Sequence, residues 1–315
     1  MTRIFSLFFL HLFLSISLHA STLYEKEISI EVKGGHLKGT LQLTADTLNP
    51  VPVVLIIAGS GPTDRDCNNP YMKNDAYKLL AMSLAENGIA SFRYDKRGIA
   101  MSNDFTMTES EVRFDDFVQD AVACIKYLKT DKKFSKVIVA GHSEGSQIGM
   151  IACAQTNADG FISLNGAGRT IDVILKEQLA SQPKSIKKPS YKIIDQLKAG
   201  KTVSDVPLTL ISLFRESVQP YLISWMQLDP AKEISELKIP VLIISGANDL
   251  QVSKTDAEKL KEAKKDAELK IIDGMNHIFR TGFNSTEENA ASYNNPALPI
   301  SEDLVKSISD FVKKL

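Results

Sequence analysis

The feature that most constrains this chain is its repeated alternation of short, continuously apolar runs with segments of helical periodicity. Val51 to Ala58 reads VPVVLIIA, and similar runs follow at Ile89 to Tyr94, Lys136 to Ala140, Gly160 to Leu164, Val241 to Ser245 and Leu269 to Ile272. A run without polar alternation suits a strand buried on both faces. Helical patterns lie between the runs at about Asp75 to Asn87, Arg113 to Thr130, Ser146 to Gln155, Lys254 to Asp266 and Ser301 to Lys314. Strand and helix in repeating order predict an α/β fold, with a mostly parallel sheet covered by helices on both sides. Glu25 to Val32 and His36 to Thr44 alternate polar and apolar residues around Gly34-Gly35, which predicts an antiparallel hairpin ahead of that sheet. With 315 residues, 43% of them hydrophobic, the chain can bury one large core.

The rhythm breaks between Thr170 and Leu237, which offers helical pieces and no convincing core strand. This predicts a helical insertion over 170–237, interrupting a core formed by 21–169 and 238–315. Its lysine-rich stretch, Lys184 to Lys192, reads as a solvated face. The first twenty residues carry Arg3, a mostly apolar stretch from Ile4 to Leu18 and then Ala20-Ser21, the pattern of a secretory signal peptide over residues 1–20. The apolar stretch is short of the ~20 residues that span a bilayer, which favours cleavage over anchoring and predicts an exported protein, periplasmic or extracellular. A formal net charge of -1 supplies no field to attract nucleic acid or an anionic membrane. Cys67, Cys124 and Cys153 lack metal-like spacing, so no metal site is expected.

The chemistry concentrates at Gly141-His142-Ser143-Glu144-Gly145, directly after a buried run and before a helix. A G-x-S-x-G segment in that setting places a serine on a sharp, strained turn, with glycines where a Cβ would strike neighbouring backbone. Ser143 is the expected nucleophile. A serine hydroxyl needs a base, and the chain has five histidines: His11, His19, His36, His142 and His277. The first two fall in the leader, His36 in the hairpin, and His142 beside the nucleophile, where it points elsewhere. His277 remains, in the loop after the last strand. Asp249, directly after Val241 to Ser245, is the expected orienting carboxylate, with Asp256 and Asp273 as rivals. The order Ser143, Asp249, His277 suits residues on successive strand ends. The oxyanion would meet the backbone N–H groups of Glu144 and Ser60, the latter in Gly59-Ser60-Gly61-Pro62 after the first long strand.

On these residues the chain resembles the alpha/beta hydrolase superfamily, specifically the serine aminopeptidase-like group that contains bacterial acyl esterases (carboxylesterases). The resemblance covers about Glu25 to Leu315 and rests on GHSEG, AGSGPTDRD (Ala58 to Asp66), RYDKRGIAMS (Arg93 to Ser102), GANDLQV (Gly246 to Val252) and Gly274 to His277. Two positions depart from the pattern: Cys67 stands where glycine commonly follows the RD pair, and Ala100 replaces the second glycine after RYDKRG. The resemblance implies a sheet of eight strands, the helical cap, and hydrolysis of small carboxylic esters without a cofactor. It also implies a structural ion network of Arg65, Asp95 and Arg97 beneath the oxyanion loop. Trp225, with Tyr221 and Met226, either lines an acyl pocket from the cap or packs the cap onto the body. The expected activity is two-step acyl transfer to water through an acyl-enzyme. A peptidase or amidase would use the same residues, and a binding module could retain the fold without the chemistry.

Overall fold

A computed structural model describes residues 24–44 and 49–315, so the signal-peptide expectation for residues 1–20 lies outside the described residues. Eight strands form one sheet in the order β1-β2-β4-β3-β5-β6-β7-β8. The hairpin is β1 (Tyr24–Val32) and β2 (Gly35–Leu43), and β2 pairs antiparallel with β4 (Ala90–Tyr94). From β4 onward, β3 (Val51–Ile57), β5 (Phe134–His142), β6 (Gly160–Leu164), β7 (Val241–Gly246) and β8 (Glu268–Ile272) are all parallel.

The apolar runs are explained by how each strand divides its side chains. In β3, Val53, Leu55 and Ile57 enter one core layer, while Val54, Ile56 and the following Ala58 enter the other. β5 repeats the division with Val137 and Val139 against Ile138 and Ala140, and β7 with Val241 and Ile243 against Leu242 and Ile244. Successive side chains leave a strand on opposite faces, so a strand covered twice must be apolar at every position.

Two helices cover the second layer. α1 (Ala76–Glu86) buries Tyr77, Leu80 and Leu84, and the C-terminal helix over Glu302–Lys314 buries Leu304, Ile308, Phe311 and Val312. The first layer lies under α2 (Phe114–Thr130), which buries Phe114, Val118, Ala121, Val122, Ile125 and Leu128, and under α3 (Glu144–Ala154). Those spacings are the stripe of an amphipathic helix. Between β6 and β7 the chain forms α4 (Ile171–Gln178), α5 (Lys184–Lys198), α6 (Ile211–Phe214), α7 (Gln219–Met226) and α8 (Pro230–Glu236). The last helices are α9 (Lys254–Ala263), α10 (Thr286–Ala291) and α11 (Glu302–Lys314).

The ion network expected at Arg65, Asp95 and Arg97 divides in two. Arg65 makes a two-nitrogen contact with Asp95 (2.8 and 3.1 Å) and reaches Glu27 (2.6 Å). Arg97 turns instead to Asp120 on α2, at 2.6 and 2.8 Å. Each guanidinium finds its own buried carboxylate, because an unpaired charge in either place would be costly.

Both departures from the family pattern sit in the left-handed region that favours glycine: Cys67 has φ 77° and Ala100 φ 45°. The Ala100 side chain is exposed and buries no packing to offset the strain. Ala100→Gly should therefore raise stability by about 0.5–1 kcal/mol, the balance of relieved strain over glycine's greater unfolded freedom. A urea midpoint that fails to rise would contradict that account.

Candidate active site

Because β3, β5, β6, β7 and β8 run parallel, the loops that follow them meet along one edge of the sheet, the usual position for a site in a parallel α/β fold. Ser143 caps α3 at the end of β5 with φ 54° and ψ -118°. A Cβ on Gly141 would lie 2.1 Å from the Gly145 carbonyl oxygen, and one on Gly145 would lie 2.3 Å from that of Ile57. Only glycine permits β5, α3 and β3 to approach so closely. The Ser143 N–H donates to the Leu164 carbonyl at 2.9 Å, fixing the turn to β6.

Asp249, in the loop after β7, accepts from His277 Nδ1 at 2.7 Å, and both side chains are almost wholly buried. The rival carboxylates are placed elsewhere. Asp256 is fully buried against the Gly168 N–H and Arg169, and Asp273 is exposed. His36 pairs with Asp104 at the hairpin, also at 2.7 Å. Ser143 and His277 line one small cavity together with Ser60.

His142 is buried between the loops. Its Nε2 lies 2.8 Å from the His277 carbonyl oxygen and its Nδ1 2.7 Å from Tyr77 Oη. A carbonyl only accepts, so Nε2 carries the hydrogen, Nδ1 accepts, and Tyr77 must donate to it. The Tyr77 oxygen in turn accepts from the Gly59 N–H at 3.1 Å. One unbroken line of hydrogen bonds thus joins the loop after β3 to the His277 backbone. Asn165 (φ 48°) adds a second donor, its Nδ2 lying 2.9 Å from the same carbonyl while its Oδ1 accepts from Gly246 N–H.

Lys96, buried in the RYDKRG segment, donates to the Gly59 carbonyl at 2.6 Å and lies 3.4 Å from Glu144. Tyr221 on α7 donates to the other Glu144 oxygen, and burial followed by the nearby Glu144 charge holds its phenol well above the usual tyrosine range. Trp225 Nε1 donates to Gln147 at 2.8 Å. Tyr221 and Trp225 therefore tie the α4–α8 segment to α3, and both also line a cavity of about 770 Å³ with Ser143, Ser60 and Glu144. Met226 does not line it: the side chain is fully buried in the first core layer, so its expected substrate role is withdrawn. Tyr77, Lys96 and Asn165 were not singled out from the sequence. Only Asn165-Gly166 after a buried run carried a signal, that of a turn. Burial pushes the Cys67 thiol to about 12, so it stays protonated beside the site.

The sheet order, the inserted helices and the turn at Ser143 are those of the alpha/beta hydrolase fold. Comparison with known proteins agrees. Residues 72–218 match the family model described as serine aminopeptidase, S33. The chain is 28% identical over 246 residues to the esterase EstD of Thermotoga maritima, covering 74% of this chain and 56% of that relative, so it spans little more than half of the relative's length. Est1E of Butyrivibrio proteoclasticus, in a structure with ferulic acid bound, superposes with a TM-score of 0.62 at 17% identity, over 91% of this chain and 98% of that one. An esterase of Pyrococcus furiosus gives 0.59 at 14% identity, over 93% and 92%. At these identities the structures speak for the fold alone.

Burial, and then the neighbouring His277, hold the His142 imidazole well below its ordinary pKa of 6.5. An unfolded chain would protonate it near that value. Below about pH 6.5 the unfolded state therefore binds more protons, and stability that is present above 6.5 is lost as pH falls, by up to ~1.4 kcal/mol per pH unit. Urea midpoints at pH 7.5 and 5.5 should fall further in the native protein than in His142→Gln, since groups common to both cancel. Equal falls would show that His142 does not titrate in this way.

Proposed function

We propose that the protein is a serine hydrolase of carboxylic esters that works through an acyl-enzyme. The observation that carries this reading is Ser143 on its strained turn beside a His277 imidazole whose Nδ1 is held by buried Asp249. With Nδ1–H engaged by the carboxylate, Nε2 is left as the basic nitrogen. His277 takes the Ser143 proton, and Ser143 Oγ attacks the ester carbonyl. The oxyanion is received by the backbone N–H groups of Ser60 and Glu144. Neighbouring contacts suit those donors: the Gly59 N–H is taken by Tyr77, and the Glu144 carboxylate by Lys96 and Tyr221. His277 then protonates the leaving alcohol, and water, activated by the same imidazole, releases the acid.

An aminopeptidase must hold a substrate ammonium group, for which a free carboxylate is the natural partner. Among the described residues, the acidic side chains lining the larger cavity are Glu109 and Glu144. Glu109 is held by Arg215 and Ser217, and Glu144 is spent as above. The smaller cavity has none. This favours ester over aminoacyl substrates, with the helices of the 170–237 insertion acting as the cap over the acyl group.

Ser143→Ala should retain the fold and lose ethyl hexanoate hydrolysis by on the order of a million-fold, the loss expected when nucleophile and base act as a unit. Acid release in a pH-stat measures this. Turnover within tenfold of the native protein would sink the assignment, and release of amine from aminoacyl anilides faster than alcohol from esters would turn it to a peptidase.

A further inference from the structure

Ser143 stands at the junction of two cavities that differ in size and in chemistry. The larger holds about 770 Å³ and the smaller about 170 Å³. They share Ser60, Gly61, Pro62, Ser143 and Gln251, but His277 lines only the smaller. If the ester reading holds, the reaction itself decides which part of the substrate enters which cavity. The bond that breaks joins the acyl carbon to the alkoxy oxygen, and the bond that forms joins that carbon to Ser143 Oγ. The electron pair leaves with the alkoxy oxygen, which must take the proton that His277 removed from Ser143. The alcohol therefore departs on the His277 side, and the acyl chain lies on the other.

From this we infer that the enzyme is selective for esters of a large, uncharged, apolar acyl group with a small, hydroxylated alcohol. At roughly 30 Å³ per water-sized group, the smaller cavity admits about five or six non-hydrogen atoms and the larger about two dozen. The larger lies within the usual range of sites that enclose whole organic ligands. Its wall includes Phe117, Ile174, Leu175, Leu213, Leu222 and Trp225. Its charged groups are matched with one another or with the body: Lys96 with Glu144, Arg97 with Asp120, Arg215 with Glu109. Among the described residues, no spare charge is left there to receive a charged acyl group. The smaller cavity is bordered by Thr63, Asn69, Gln251 and Tyr293, whose hydroxyl and amide groups suit an alcohol with a second hydroxyl.

The test is a two-way series of kcat/KM values on the native protein. One arm varies the acyl group of 2-hydroxyethyl esters from acetyl through butanoyl and octanoyl to dodecanoyl. The other fixes octanoyl and varies the alcohol from 2-hydroxyethyl through butyl to naphthylmethyl. We expect octanoyl to exceed acetyl by at least about tenfold, and the naphthylmethyl ester to fall at least about tenfold below the hydroxyethyl ester, since even one methylene in an apolar pocket is worth about tenfold or more. Leu213→Trp, at a half-buried position on the wall of the larger cavity, should lower the octanoyl-to-acetyl ratio at least about tenfold. A flat profile, or preference for acetyl esters of large alcohols, overturns the inference. Fluorophosphonate labelling of the same preparation separates the two levels of failure. Labelled Ser143 with a flat profile leaves the hydrolase reading standing and removes the partition, whereas no labelling and no ester turnover removes both.

Discussion

Everything at the sheet edge depends on how closely three stretches of backbone approach one another at the Ser143 turn. β5 must end, α3 must begin, and β3 must pass beside them, with no room for a Cβ at Gly141 or Gly145. The cost is concentrated in one residue, since Ser143 adopts a backbone conformation with φ 54° that L residues rarely take. Such strain persists only where its surroundings over-determine it. Here they do: the Ser143 N–H is tied to β6, and its carbonyl accepts from Ser146 in the first turn of α3.

The same turn fixes the loops around it through the residue before the serine. Both ring nitrogens of His142 are engaged, one of them by the His277 carbonyl, so His142 helps to determine where His277 sits. A neutral imidazole has one donor and one acceptor: the carbonyl, which can only accept, fixes Nε2 as the donor, and Nδ1 is left to accept the tyrosine hydroxyl proton. Burial makes the neutral form the stable one and so preserves that matching. Lys96 adds a charge-assisted bond to the Gly59 carbonyl, so the loop after β3 is held at both its N–H and its C=O.

Much of this was legible in the sequence because it follows from local pattern. The unbroken apolar run at Val51 to Ala58 requires burial on two faces, and the two core layers divide it residue by residue. The pairing of His277 with Asp249 was legible because few histidines survive elimination and both residues follow buried runs. What was not legible depends on partners distant in sequence. Tyr77 lies 65 residues before His142 and belongs to the apolar face of α1, so nothing local marks its hydroxyl as a link. Arg97 shares its motif with Asp95 but points to Asp120, which only the packing of α2 brings near. Met226 failed because α7 is short and mostly apolar, so its pattern does not say which side faces a cavity and which the core.

The helices inserted between β6 and β7 contribute differently from the sheet. They reach α3 through polar contacts in its first turn, Tyr221 to Glu144 and Trp225 to Gln147. Buried polar groups are tolerable only when satisfied, and Glu144 meets that condition with one bond from the inserted helices and one charge from Lys96. The carboxylate that follows Ser143 is thus already partnered by Tyr221 and Lys96. An unpaired anion there would oppose the negative charge that develops on an attacked carbonyl and would attract cations to a cavity whose wall is otherwise apolar. The insertion and Lys96 together leave the end of α3 presenting backbone N–H groups rather than a carboxylate, so the arrangement that closes the larger cavity also sets the electrostatics of the serine beneath it.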